Sequence, residues 1–375
     1  LMITQLPGCS TYDAVRVATS RNPGHAIESI GKSRVNSYKT NPLRLAGDVR
    51  RLVKLLGGEV DREWGRKERV LPSPHRYVKY TQNYKSRAII NFDSGVIRVE
   101  TLDKERPVGS LRNAIVTTLL TPDDPRAVDL YSAKSIKLSG RAYLYGLVQN
   151  QHRKFIDQPA RAEAFADHLI GTALDKRVTN TQNGNKTVHS VRFHMVNDHE
   201  NLRAKRYAPL VRHYARRFAI SRNLVYAIIK TESNFNPFAV SHAPAYGLMQ
   251  LVPASGGRDA FRLAKGQDQI PSPDYLFNAR NNIELGTAYL NVLNYRYLEG
   301  IASPLSREYC TIAAYNTGAG NVLRVFSANR DKAKQIINSM PPDKLYQHLL
   351  RHLKEAEARR YLAKVTEARR QFVNL

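Results

Sequence analysis

Acidic side chains are scarce in this chain. Its 32 Asp and Glu stand against 58 Lys and Arg, a net charge of +26 over 375 residues. A surplus of that size sets the sign of the partner and leaves its identity open. Nucleic acid, an anionic cell-wall polymer and an acidic lipid surface all satisfy it. Cysteine is nearly missing, with Cys9 and Cys310 the two present. No zinc-ligand spacing, P-loop or dinucleotide fingerprint occurs, so neither a metal nor an organic cofactor is expected. No run of about 18 or more apolar residues occurs either, which leaves no candidate for a membrane-crossing helix. What remains is the composition of an ordinary globular protein, 42% hydrophobic and 24% charged. It is long enough for two or more domains with cores of their own.

The two cysteines read differently. Cys310 lies in the apolar-patterned stretch Tyr309 to Ala314 and reads as a small core residue. Cys9 follows Leu6-Pro7-Gly8 and precedes Ser10. Leu-x-Gly-Cys resembles the lipobox of a bacterial lipoprotein, whose cysteine receives diacylglycerol; the plainer alternative is a tail cysteine with no role.

Along the chain, three regions separate. Residues 1–44 are polar, basic and weakly periodic, and read as an anchor and tether. Residues 45–197 mix periods. Leu45 to Trp64 has helical spacing, weakened by Gly57-Gly58. Ala88 to Phe92 and Val96 to Thr101 flank Asp93-Ser94-Gly95, a hairpin with turn residues in place. Leu111 to Leu120 and Arg161 to Leu174 read as helices, and Leu144 to Val148 and Val188 to Val196 as strands. That mixture predicts an α+β accessory module with no catalytic constellation of its own. From residue 198 to 375 the pattern is helical almost throughout. Helices are expected at 203–218, 222–233, 281–298, 306–315, 319–327, 331–338, 343–351 and 355–371, with a long loop at 253–273. This predicts an all-α domain around a cleft.

The chemistry gathers in that last region. Glu232 is the one acidic residue between Leu224 and Arg258. The run Leu224 to Ile229 is apolar on several faces, so its helix should be buried, and Pro237 helps to end it. Glu232 then falls in the last turn. The negative end of the helix dipole and the apolar neighbours both favour its protonated form there. A carboxyl that keeps its proton can serve as a general acid. On its own, a Glu at a helix end is usually just exposed. Two further segments change that reading. Gly247-Leu248-Met249-Gln250 offers a glycine where a polymer can approach and an amide that both donates and accepts. Tyr315-Asn316 sets a phenol and an amide just before Gly318 and Gly320.

Together these segments resemble the lysozyme-like lytic transglycosylases of the soluble-type catalytic family. The family pattern is Glu-Ser, then Gly-Leu-Met-Gln, then Ala-Tyr-Asn. Here it is Glu232-Ser233, Gly247-Leu248-Met249-Gln250 and Ala314-Tyr315-Asn316. The family Ser nine residues after the Glu falls on Ser241, and Glu357-Ala358-Arg359-Arg360-Tyr361 matches a later segment with Ala in place of Thr. Val252 stands where the family often has Met. Blocks nearer the amino terminus, among them Tyr77-Val78-Lys79-Tyr80 and Ile90-Asn91-Phe92-Asp93, are similar to those of an outer-membrane lipoprotein member of that family.

The resemblance implies an α+β N-terminal module followed by an all-α lysozyme-like catalytic domain. It implies cleavage of the β-1,4 bond between N-acetylmuramic acid and N-acetylglucosamine with 1,6-anhydro ends. Glu232 would be catalytic. Ser233, Ser241, Gly247, Leu248, Met249, Gln250, Tyr315, Asn316, Glu357 and Tyr361 would contact or orient the glycan. Peptidoglycan would be the partner, nucleic acid would not, and acylated Cys9 would attach the protein to the outer membrane in the periplasm of a Gram-negative bacterium. The competing readings are a goose-type lysozyme-like hydrolase that uses water and a non-catalytic peptidoglycan-binding protein.

Overall fold

The computed structural model describes residues 42–181, 184–241 and 245–373, with side chains from Arg51 onward. Cys9 and most of the expected tether lie outside them. The described chain divides into two units. One holds the chain up to His199 together with Val240 and Ser241; the other holds Glu200–Ala239 and continues from Ala245.

The first unit is built on a five-stranded antiparallel sheet in the order β1-β2-β3-β5-β4. The strands are β1 Arg76–Thr81, β2 Ser86–Asn91, β3 Val96–Thr101, β4 Asp175–Thr181 and β5 Gly184–His194. The strand period of two assigns the faces. Val78, Tyr80 and Ile89 pack with Leu56, Val60 and Trp64, which recur at helical spacing on α1 Pro42–Trp64. Tyr77, Lys79, Thr81 and Ala88 face the other way, toward Ala114, Thr117 and Thr118 of α2 Pro107–Leu119. A third helix, α3 Pro159–Ala173, packs beside α2. The expected hairpin is β2–β3: Asn91 Oδ1 accepts from the Asp93 and Ser94 amides at 2.9 and 3.1 Å, and Gly95 takes φ 68°.

Two expectations fail in this unit. Leu144 to Val148 is not a strand but a pair of turns, with Tyr145 N donating to Ala142 O and Leu147 N to Leu144 O. Gly146, at φ 77°, sits in its middle. Its apolar residues are buried by a loop, and a short apolar run cannot by itself distinguish the two. The tether boundary also moves, because α1 begins at Pro42, before residue 44.

The second unit is helical. Its elements are α4 His199–Arg206, α5 Ala208–Arg217, α6 Arg222–Ser233, α7 Arg258–Lys265, α8 Pro273–Phe277, α9 Ala279–Val292, α10 Pro304–Thr317, α11 Ala319–Arg324, α12 Arg330–Asn338, α13 Pro342–His352 and α14 Ala356–Gln371. The helix expected at 203–218 is two helices, since Pro209 cannot donate to a preceding turn. The expected loop at 253–273 holds α7, stopped by Gly266 at φ 69°, and leads into α8, capped by Ser272. The helix expected at 281–298 ends at Val292 in a wide turn, Leu293–Tyr297. The core runs along α6, whose residues Leu224 to Ile229 are buried, with α14 packed against it and α10 against α14.

Charge is also buried, inside the sheet unit. Arg87 and Glu100 are cross-strand partners whose side chains are wholly inaccessible, with Nε to Oε2 at 2.5 Å. The Arg87 guanidinium lies 3.7 Å from the centre of the Trp64 ring and also reaches Glu68 at 3.0 Å. Removing one member of such a pair strands the other in a low dielectric. Glu100→Ala is therefore expected to destabilise this unit by about 3 kcal/mol. Urea unfolding followed by fluorescence of Trp64, the one tryptophan, reads the change; an unshifted midpoint refutes it.

Candidate active site

Glu232 stands in the last turn of α6 and is half-buried. The helix ends earlier than proline alone requires. Asn234 at φ 45° and Phe235 at φ 59° turn the chain left-handed, before Pro237 is reached. Asn234 N still bonds Lys230 O at 2.9 Å, while fully buried Arg203 donates to the Asn234 carbonyl. Lys230 pairs with Glu200. The terminus carrying Glu232 is thus fastened from α4.

Ser233 points inward. Its Oγ lies 2.7 Å from Leu248 O and 3.0 Å from Ile229 O, and its one proton serves one of them at a time. Leu248 belongs to the turn Gly247–Gln250, closed by Gln250 N to Gly247 O at 3.1 Å and flanked by the mutual Tyr246–Leu251 bonds at 3.2 Å. Leu248 and Met249 are almost wholly buried, so they present backbone rather than side chain. The Gln250 Nε2 donates to Gly247 O at 2.8 Å and Ala239 O at 3.1 Å. Its Oε1 is buried and has no hydrogen-bond partner among the described residues.

Two phenols complete the cluster. Tyr315, near the end of α10, donates to Met249 O at 2.8 Å, and its ring lies 5.4 Å from that of Tyr289. Tyr361, on α14, donates to Glu232 Oε1 at 2.7 Å. Burial pushes both phenols well above the ordinary value of 10.0, and the charge of Glu232 adds to it in each case. Both therefore stay protonated and act as neutral donors.

The remaining expected residues make none of these bonds. Asn316 is exposed in the last turn of α10, which Gly318 closes at φ 86°. Glu357 is exposed one turn before Tyr361, and no hydrogen bond or ion pair among the described residues ties it to the cluster. Ser241 groups with the sheet unit, where it lines a small cavity with Val53, Leu56, Leu71, Pro72, Tyr131 and Val240. Asn282 was not singled out from the sequence. It is buried in α9 and bonds the motif turn at Met249 N and Tyr246 O, both at 2.8 Å. Its helix also carries Arg280, Asn281, Glu284 and Asn291, so no signal in the sequence set Asn282 apart. Among the described residues no group of three or more His, Cys, Asp or Glu is placed to hold a metal.

Comparison with known proteins gives the family. Residues 38–206 match the family described as membrane-bound lytic murein transglycosylase C, N-terminal domain, and residues 209–338 match the transglycosylase SLT domain. A membrane-bound lytic murein transglycosylase C of Klebsiella pneumoniae is 47% identical over 314 residues, 84% of this chain and 86% of its own length. The chain belongs to the membrane-bound lytic murein transglycosylase C family. Relatives of the same name in Cronobacter sakazakii and Salmonella typhimurium are 43% identical over 342 residues and 45% over 322. They cover 91% and 86% of this chain, and 94% and 88% of their own lengths. A solved structure, an inactive mutant of lytic transglycosylase Slt from Pseudomonas aeruginosa, aligns at 23% identity and TM-score 0.33 over 44% of this chain and 23% of that one. That likeness is too slight to carry an argument. The protein is thus a murein lytic transglycosylase, an enzyme acting on peptidoglycan, with an α+β module ahead of its all-helical catalytic domain.

The buried phenol on Glu232 has a consequence for stability. Below about pH 10 the Tyr361 proton is held in both folded and unfolded chains. Above it the unfolded chain releases the proton and the folded chain resists, so stability drains as pH climbs. Above about pH 10, wild type should lose about 1.4 kcal/mol per pH unit more than Tyr361→Phe. Urea unfolding of both proteins at about pH 9 and about pH 11 measures the difference, and parallel losses would show that this phenol is not buried.

Proposed function

We propose that the enzyme cleaves the β-1,4 bond between N-acetylmuramic acid and N-acetylglucosamine and leaves 1,6-anhydro ends, with Glu232 acting first as acid and then as base. The observation that carries this reading is the Tyr361 hydroxyl on Glu232 Oε1, with Tyr315 close enough to feel the same charge. Glu232 gives its proton to the O4 leaving oxygen as the C1–O4 bond breaks. The ionised carboxylate then takes the proton of the muramoyl C6 hydroxyl as that oxygen bonds C1. The carboxyl ends as it began and no water is consumed. An attacking group within the same sugar reacts at high effective molarity, so no second carboxylate is needed to activate water.

The phenols suit this cycle. Each keeps its proton, so neither competes with Glu232 for the one being moved. The unpartnered Oε1 of Gln250 is an acceptor available to a hydroxyl or acetamido N–H of the glycan. Asn316, next to Tyr315 in sequence, and Glu357, one turn before Tyr361, are exposed and are assigned outer contacts of the strand; a glycan contact by Ser241 is proposed on its motif position alone. The experiment is mass analysis of sacculi digested by wild type and by Glu232→Gln. Wild type should release fragments one water lighter than reducing muropeptides, and the variant should lose at least about 10²-fold in rate. Fragments with ordinary reducing ends would instead favour the water-using hydrolase, and an active variant would end the assignment.

We propose further that acylated Cys9 attaches the protein to the outer membrane, facing the periplasm. The support is the lipobox-like Leu6-Pro7-Gly8-Cys9 and the words membrane-bound in the relatives' names. Among the described residues no helix is long and apolar enough to cross a membrane. Cys9→Ser should abolish labelling by radioactive fatty acid and move the protein from the membrane to the soluble fraction. Retained labelling would sink this part alone.

A further inference from the structure

The turn that carries Leu248, Met249 and Gln250 is gripped from behind by one face of α9. Asn282, fully buried, accepts at Oδ1 from Met249 N at 2.8 Å. Its Nδ2 donates to Tyr246 O and to Leu276 O, each at 2.8 Å. One turn further, Gly286 makes room for the Met249 side chain: a Cβ there would lie 2.3 Å from Sδ. Tyr289, on the same face, lies against the ring of Tyr315. Positions 282, 286 and 289 follow the spacing that places residues on one side of a helix. Gly247 completes the fit. It adopts φ 73°, and a Cβ on it would meet Asn282 Nδ2 at 2.4 Å.

The grip falls on one peptide plane. The Met249 N–H and the Leu248 C=O belong to the same rigid peptide unit. Asn282 holds the N–H side and Ser233, the neighbour of Glu232, donates to the C=O side. The next carbonyl, that of Met249, takes the Tyr315 hydroxyl. Asn282 is therefore joined through a single planar unit to the helix end bearing Glu232, and through the adjoining one to the phenol beside it. Hydrogen bonds on both sides of a peptide polarise each other, which tightens such a chain.

We infer that Asn282 is a positioning residue for the reaction: it fixes the Leu248–Met249 peptide and so sets where Ser233 and Tyr315 stand relative to Glu232. The inference rests on the reading of Glu232 as the proton-transfer group. Displacement of a catalytic group by about 1 Å costs on the order of 10²-fold in rate. Asn282→Ala is expected to lower kcat between about tenfold and about a hundredfold with KM little changed.

The test is a double-mutant cycle with Tyr315→Phe, on the full-length protein and purified sacculi, well below the melting temperature of every variant. Acting through Tyr315, Asn282→Ala should cost no more than about threefold further once Tyr315 is phenylalanine. Asn282→Asp, which keeps the acceptor for Met249 N–H and loses the amide donors, should retain more kcat than Asn282→Ala although both lower the melting temperature. Losses that multiply across the cycle, or equal kcat in the two Asn282 variants, would reduce Asn282 to a structural residue and overturn the inference. If Asn282→Ala does not fold, Asn282→Asp carries the same cycle, with the same multiplication counting against it. Glu232→Gln measured alongside separates the outcomes. Its persistent activity would remove the proton-transfer reading, whatever the cycle shows.

Discussion

A buried turn must satisfy its own backbone before any chemistry can be done beside it. The turn from Gly247 to Gln250 has almost no exposed side chain, so its peptide groups have no solvent to bond. Ser233 answers the Leu248 carbonyl, Tyr315 the Met249 carbonyl, and Asn282 the Met249 amide and the Tyr246 carbonyl. Those donors and acceptors come from α6, α10 and α9, which also pack through their buried apolar residues. Satisfying the turn ties Ser233, the neighbour of Glu232, to Tyr315 and Asn282 through shared backbone. Gly247 is part of the same constraint, because its positive φ and absent side chain admit Asn282 to the backbone.

The bounds of α6 were legible in the sequence because local signals agreed: a continuous apolar run and a stop before proline. The β2–β3 hairpin was legible for the same reason, through Asp93-Ser94-Gly95. Leu144 to Val148 misled because burial leaves the same apolar mark on a loop as on a strand. The helices α7 and α8 were lost among Gly and Pro, which punctuated them so closely that they read as one loop. At the site, residues adjacent in motifs were visible and residues adjacent in space were partly hidden. The Tyr361–Glu232 bond spans 129 positions, and only a family resemblance brought Tyr361 to notice. Asn282 sits in no such motif, and its work is done on backbone atoms, which leave no pattern in side-chain chemistry.

The two units handle charge differently. In the sheet unit Arg87, Glu100, Glu68 and Arg177 form a connected set beneath Trp64, with two of its members wholly inaccessible. Ions that deep are tolerated only when every one is answered, and here each has a partner of opposite sign. In the helical unit Glu284, itself nearly buried, is answered by Arg217 and Lys265 at 2.7 Å each, joining α9 to α5 and α7 on the side away from the motif turn.

The choice of phenols around Glu232 follows from what a single carboxyl must do on the proposed path. It has to release a proton and then take one back, so its neighbours must stabilise position without exchanging protons themselves. A second carboxylate at bonding distance would share the proton and split the titration between two groups. A lysine would hold the carboxylate ionised and remove the acid. A phenol raised well above 10.0 by burial does neither: it donates one hydrogen bond in every state of the cycle and changes charge in none. The burial that raises Tyr315 and Tyr361 is supplied by the same helix packing that closes the motif turn. The fold therefore fixes the geometry of the cluster and the inertness of its donors by one means, and on the proposed path Glu232 is left as the group whose proton moves.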